Sequence, residues 1–190
     1  MQKRKIVLGI GGSSGAIYAK RLMEKCQSRD DVTCNVVMSK NALANWKLEI
    51  GDFDPEVWKN FEFYKNDDFL APFASGSAQY DTMIICPASM GLVGRIASGV
   101  SDSLMTRAAD VMLKEKRRLI VVVRETPYNL IHLKNMTTIA EAGGIICPAT
   151  PSFYSKPSDI ISVVDTVIDR ILDIAKLDND AFRWGQSSNS

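Results

Sequence analysis

The chain has 190 residues, is 46% hydrophobic and carries a net charge of +1. That length fits one domain whose core needs no disulfide or metal staple, and the near-neutral charge excludes a broad electrostatic footprint for nucleic acid or an anionic membrane. No apolar run reaches the roughly 18 residues of a membrane span, and no signal-peptide core follows the basic start, so a cytoplasmic protein is expected. Cys26, Cys34, Cys86 and Cys147 show no CxxC spacing and His132 is the single histidine, which points away from zinc and redox-dithiol chemistry.

Lys5 to Ile10 reads as a buried strand running into Gly11-Gly12-Ser13-Ser14-Gly15, with a helix from about Ala16. A strand, a glycine-rich turn and a helix place backbone N–H groups where a phosphate is bound, although neither GxGxxG nor a Walker loop is present. Thr33 to Met38 is a second strand, followed by a helix from Asn41 to Glu49. Ser39 between them suits both a helix N-cap and a cofactor contact. Gly51 to Gln79 breaks the α/β rhythm and holds one short strand, Phe61 to Tyr64. A segment this long is expected to be functional or an assembly surface. Asp81 to Cys86 is a third buried strand, and Ala88-Ser89-Met90-Gly91-Leu92 opens the next helix.

A helix through Arg107, Asp110 and Lys114 is expected next, capped by Ser101 or Asp102. Its polar face is free for a ligand, and Leu104, Ala108, Val111 and Met112 face the core. Leu119 to Val123 is a β-branched run typical of a parallel strand buried on both faces, ending in Arg124-Glu125. Asn129 to Ala142 is a helix stopped by Gly143-Gly144, and Ile145 to Cys147 a final strand. Ser158 is expected to cap a long amphipathic helix over Ile160 to Ala175, with Arg170 off its apolar stripe and a polar tail from about residue 176. The sum is a single-domain α/β fold: a doubly wound, Rossmann- or flavodoxin-like parallel sheet with helices on both faces. Ligands of such sheets sit beyond the strands' carboxyl ends. There the Gly12 to Gly15 loop, Ser39, Ser89 to Leu92 and Arg124-Glu125 converge, suited to FMN or another monophosphate. Arg107, Lys114 and Arg170 remain as surplus cations, which suggests a second phosphorylated ligand.

The stretches KIVLGIGGSSGAIY, VVMSK, APFASGS, ICPASMG, RAADVMLKEKRRLIVVVRETP, IHLKNM, PSFY and RWG span the chain, and in them it resembles the flavin prenyltransferase family of UbiX type. The resemblance implies metal-free transfer of a dimethylallyl group from dimethylallyl phosphate to N5 and C6 of reduced FMN. The product would serve a UbiD-type decarboxylase. It also implies a homo-oligomer, a dodecamer with sites between subunits. Gly12, Ser13, Ser14, Ser39, Ser89, Met90, Gly91, Leu92 and Arg124 match the family's FMN contacts. Arg107, Lys114, Tyr154 and Arg170 match groups around the prenyl phosphate, with Trp184 beside them. Glu125, Glu49, Ser14 and Lys114 match residues of the chemistry, Glu125 as acid/base. The chain departs from the family at GGSSG, where TGASG is more usual, and at Leu92, where threonine is frequent. Two other readings stand beside this one. A flavin-dependent cysteine decarboxylase is disfavoured because the turn is PASMG and the first helix has no histidine. An FMN carrier or accessory subunit would have no need of Glu125.

Overall fold

The computed structural model describes residues 3–185. Six strands form one sheet in the order β3-β2-β1-β4-β5-β6, and every neighbouring pair is parallel. They are β1 (Arg4–Ile10), β2 (Val32–Met38), β3 (Phe61–Tyr64), β4 (Thr82–Ala88), β5 (Arg118–Val123) and β6 (Ile145–Ile146). The order reverses between β1 and β4, which opens a crevice at their carboxyl ends.

Side-chain alternation divides the core in two. Ile6 and Leu8 of β1 point to a layer made by α1 (Ala16–Gln27), α2 (Lys40–Glu49) and α6 (Ile160–Ile174). Val7 points to the layer of α3 (Met90–Ala97), α4 (Leu104–Lys114) and α5 (Leu130–Glu141). The helices thus lie on both faces, and the central strands are buried from both sides. In β5, Leu119 through Val123 are at most 1% exposed.

Two helix starts differ from expectation. The cap of α4 is Ser103, not Ser101 or Asp102: its Oγ accepts from Thr106 N (3.3 Å) while Thr106 Oγ1 accepts from Ser103 N (3.1 Å). The cap of α6 is Asp159, not Ser158, reciprocated by Ser162 at the same three-residue spacing. In both cases the reciprocal box satisfies two groups where a lone serine satisfies one. His132 has the same structural role, closing a box with Asn129 at the start of α5.

The Gly51 to Gln79 region contributes β3 at the sheet edge and a clamp on α4. Asn66 accepts from Leu104 N through its backbone oxygen (2.7 Å) and from Met105 N through Oδ1 (3.1 Å). The tail is also more than polar chain. Leu177 is buried, and Arg183 donates to Asp173 Oδ2 (2.6 Å), so residues to 185 lie back along α6.

Candidate functional site

The β1–α1 loop is the best-built part of the rim, because the Gly12 and Ser14 carbonyls are tied back while the Gly12, Ser13 and Ser14 amides are not. Gly11 N donates to Pro87 O (3.0 Å), and a Cβ on Gly11 would stand 2.5 Å from that same oxygen, so only glycine fits. Asn45 Nδ2 donates to Gly12 O (3.0 Å) and Arg124 Nε to Ser14 O (2.8 Å). Glu49 accepts from Gly15 N (2.9 Å) and Ala16 N (2.7 Å), which places a carboxylate on the positive end of α1. Gly15 has φ 109 and bends the chain into that helix. Among the described residues no protein acceptor meets the N–H groups of Gly12, Ser13 and Ser14. Ser13 is 9% exposed and its Oγ has no partner. A buried donor without a partner beside free amides fits an oxygen-rich ligand such as the phosphate and ribityl chain of FMN.

Gly12, Ser39, Ser89 and Leu92 share one cavity of about 260 Å³. Ser39 caps α2 by accepting from Ala42 N (3.1 Å), so its expected capping role holds. Ser89 heads α3 with a side chain that caps nothing, which leaves its hydroxyl for a ligand. Asn41, Asn66, Ser103 and Thr106 line the same cavity and were not anticipated. Asn41 and Asn66 follow the ends of β2 and β3, and that position was their one available signal. Met90 offers only its backbone, since its side chain is 6% exposed and packs in the core. Gly91 sits in the first turn of α3, where an added Cβ would meet nothing closer than Arg95 at 3.7 Å. Arg124 and Glu125 do not line this cavity; Arg124 reaches the loop at Ser14 O. The Glu125 carboxylate accepts from Thr126 N (3.0 Å) and is half-buried.

The expected single cationic cup is not found within one chain. Tyr154, Arg170 and Trp184 do come together, lining a cavity of about 690 Å³ between α6 and the tail. The Tyr154 and Trp184 rings meet edge to face at 4.8 Å. Arg107 and Lys114 are elsewhere, and the face expected to be free for a ligand is engaged. Arg107 Nε donates to Ala74 O (3.0 Å) and Nη1 to Asp110 Oδ2 (3.0 Å), while Lys114 pairs with Glu115. The reason is topological. Helix α4 runs against the strands, so Lys114 ends near the start of β5, roughly 20 Å of strand away from Arg124. Among the described residues Arg170 makes no hydrogen bond or ion pair, whereas its α6 neighbours Asp165, Asp169 and Asp173 are paired with Arg21, Lys25 and Arg183. No group of three or more His, Cys, Asp and Glu among the described residues is placed to hold a metal ion. None of the described helices is long and apolar enough to cross a membrane.

Comparison with known proteins places this geometry among flavin proteins. The Flavoprotein family model matches residues 1–172. The flavin prenyltransferase UbiX of Methanocaldococcus jannaschii is 42% identical over 187 residues, covering 95% of this chain and 98% of that relative. A crystal structure of AnUbiX in complex with FMN and dimethylallyl pyrophosphate is 40% identical with a TM-score of 0.90, covering 98% of this chain and all of that one. A dodecameric FMN-dependent UbiX-like decarboxylase from Escherichia coli O157:H7 is 34% identical with a TM-score of 0.91, covering 96% of this chain and all of that one.

Proposed function

From the premise that the chain belongs to the flavoprotein family and, within it, to the flavin prenyltransferases, we propose the following division of labour in its site. The protein is a transferase that moves a dimethylallyl group from dimethylallyl phosphate to N5 and C6 of reduced FMN, giving prenylated FMN. The observation that carries the residue assignment is the cavity shared by Gly12, Ser39, Ser89 and Leu92, beside a loop whose Gly12 to Ser14 amides and Ser13 hydroxyl meet no protein partner among the described residues. Those residues, with Ser14, the Met90 and Gly91 backbone and Arg124, would hold FMN.

When bound, reduced flavin supplies the nucleophile for the allyl carbon. The chain's own residues deal with the leaving group. Arg170 and Tyr154 meet the negative charge that grows on the phosphate oxygens as the allylic C–O bond breaks, which lowers the barrier without a metal. The Trp184 ring lies against Tyr154, where an aromatic face tolerates positive charge on the allyl group. Glu125 is the acid/base group that returns a proton to the departing phosphate. Glu49, fixed on the amino end of α1, and Ser14 stand at the nearby turn of the loop. Lys114 lies far from the rim of its own chain and Arg107 is held by Ala74 O and Asp110, so their role is assigned to the rim of another copy. A dodecameric relative supports such an oligomer. Consumption of the product by a UbiD-type decarboxylase completes the reading.

The experiment is direct. Purified protein with reduced FMN and dimethylallyl phosphate should give a flavin heavier by one C5 unit in the mass spectrum, and Glu125→Gln should bind FMN yet yield little of it. Unchanged flavin mass under full reduction would sink the assignment. FMN binding with intact partner activation in Glu125→Gln would favour the carrier reading instead.

A further inference from the structure

Helix α2 lies along the whole β1–α1 loop through one face. Asn41, Asn45 and Glu49 recur every four residues, so they share that face while Ala42 and Trp46 are buried in the core. Asn41 packs on Gly12, where an added Cβ would be 2.5 Å from the Asn41 Cβ. Asn45 donates to Gly12 O, and Glu49 accepts from Gly15 N and Ala16 N.

These contacts act on two peptide planes of the loop. The peptide is planar and trans, so the carbonyl of one residue and the N–H of the next point in opposite directions. The Ser14–Gly15 peptide is held at both ends, its oxygen by Arg124 Nε at 2.8 Å and its N–H by Glu49 at 2.9 Å. The Gly12–Ser13 peptide is held at its oxygen alone, by Asn45 at 3.0 Å, and its N–H meets no protein acceptor among the described residues. Gly12 has no side chain to restrict its backbone angles, so the residue itself does not fix which way the Gly12–Ser13 peptide faces.

We infer that Asn45 is a positioning residue for the flavin nucleotide: it anchors the Gly12 carbonyl and thereby turns the Ser13 N–H toward an oxygen of FMN. The inference rests on the reading of this loop as the FMN cradle. Asn45 itself touches no ligand. Its amide works by removing the alternative orientation of one peptide plane before the ligand arrives, so that FMN binding does not have to order it.

The test uses the full-length protein stripped of flavin. FMN is titrated and quenching of its fluorescence gives the affinity, while thermal melting of the flavin-free protein gives its stability. Asn45→Asp keeps the shape but replaces the donor with an acceptor facing a carbonyl, and Asn45→Ala removes the donor without adding charge. Asn60→Asp, which removes a similar donor to Gln27 O (3.1 Å) outside the site, is the control. The expected result is a weakening of FMN binding by roughly five- to tenfold for Asn45→Ala and more for Asn45→Asp, the scale of one lost hydrogen bond. The KM for FMN should rise in step, with kcat at saturating FMN and the KM for dimethylallyl phosphate unchanged, and Asn60→Asp should bind FMN normally. Unchanged FMN affinity in Asn45→Ala, or an equal loss in Asn60→Asp, would reduce Asn45 to an ordinary structural tie. Should Asn45→Asp not fold, Asn45→Ala decides alone. Failure of the unsubstituted protein to bind FMN would overturn the functional reading and this inference with it.

Discussion

The β1–α1 loop and the pocket under the tail, proposed to hold the flavin and the prenyl donor, are built by opposite means. The loop is built from backbone: the Gly12 and Ser14 carbonyls are anchored, the Gly12 to Ser14 amides meet no protein acceptor among the described residues, and Ser13 is 9% exposed. The pocket is built from side chains hung on one face of α6 and on two loops, with Tyr154 68% and Trp184 79% exposed. The first site exists as soon as the chain folds. The second is lined by largely exposed rings and a cation, Arg170, without a partner among the described residues. A rigid cradle for the flavin and an open, side-chain-lined half-site for the prenyl donor fit an enzyme whose second site is finished by other copies of itself.

The difference can be broken at the backbone end by Gly11→Ala. The new methyl would meet the Pro87 carbonyl, a backbone atom that cannot swing aside. Overpacking of this kind costs about 1–3 kcal/mol. The variant should melt lower and lose measurable FMN binding. Normal binding in it would mean that the loop is softer than its contacts imply.

At the side-chain end, Arg170→Ala should leave FMN affinity and melting temperature alone and lower kcat/KM for dimethylallyl phosphate by roughly 10²-fold, the scale of removing one group that meets transition-state charge. Arg170→Lys should recover part of it, because a point charge replaces a forked donor. A parallel loss of FMN binding in Arg170→Ala would merge the two regions into one site.

A finer separation comes from Gly91→Ala. This helical position has room for a methyl, so the flavin-free protein should gain roughly 0.5–1 kcal/mol from the stiffer helix. If the first turn of α3 lies against FMN, affinity should fall several-fold at the same time. A gain on both measures would move the flavin away from that turn.

How much of this was legible follows from the same contrast. The strands, their parallel pairing and the rim were readable because double-sided burial leaves uninterrupted β-branched runs, as in Leu119 to Val123, and turn glycines mark strand ends. The loop proposed as the FMN cradle was readable for the same reason, since its features are those of local backbone. The cationic cup was not. The spacing of Arg107 and Lys114 gave their shared helix face correctly but said nothing about which end of the sheet that face reaches. Asn45 and Asn66 were missed because a single asparagine tying a carbonyl or a helix start carries no pattern. The caps at Ser103 and Asp159 were missed by one or two positions, because the partner three residues on decides the cap and the first polar residue does not.

The smallest expected effect concerns the tail that roofs the open pocket. Asp173 accepts from Arg183 and from Asn179 Nδ2 (2.8 Å), which draws Phe182 and Trp184 over the cavity. The hydrogen bond from Arg183 is the chief reason the Asp173 carboxyl sits below its ordinary 3.8. A carboxyl depressed in the docked state favours docking at pH values above 3.8, and that contribution disappears as the pH falls through the lower, docked value. Tail docking should therefore be flat from neutral pH to about pH 5 and loosen only in stronger acid. Asp173→Asn should remove this acid response and speed tryptic cleavage after Arg183. Because the pair is partly exposed, the KM for dimethylallyl phosphate should rise only about two- to fivefold, with kcat and FMN affinity held. A much larger effect, or one on FMN affinity, would make the tail part of the cradle and erase the contrast between a backbone site and a side-chain site.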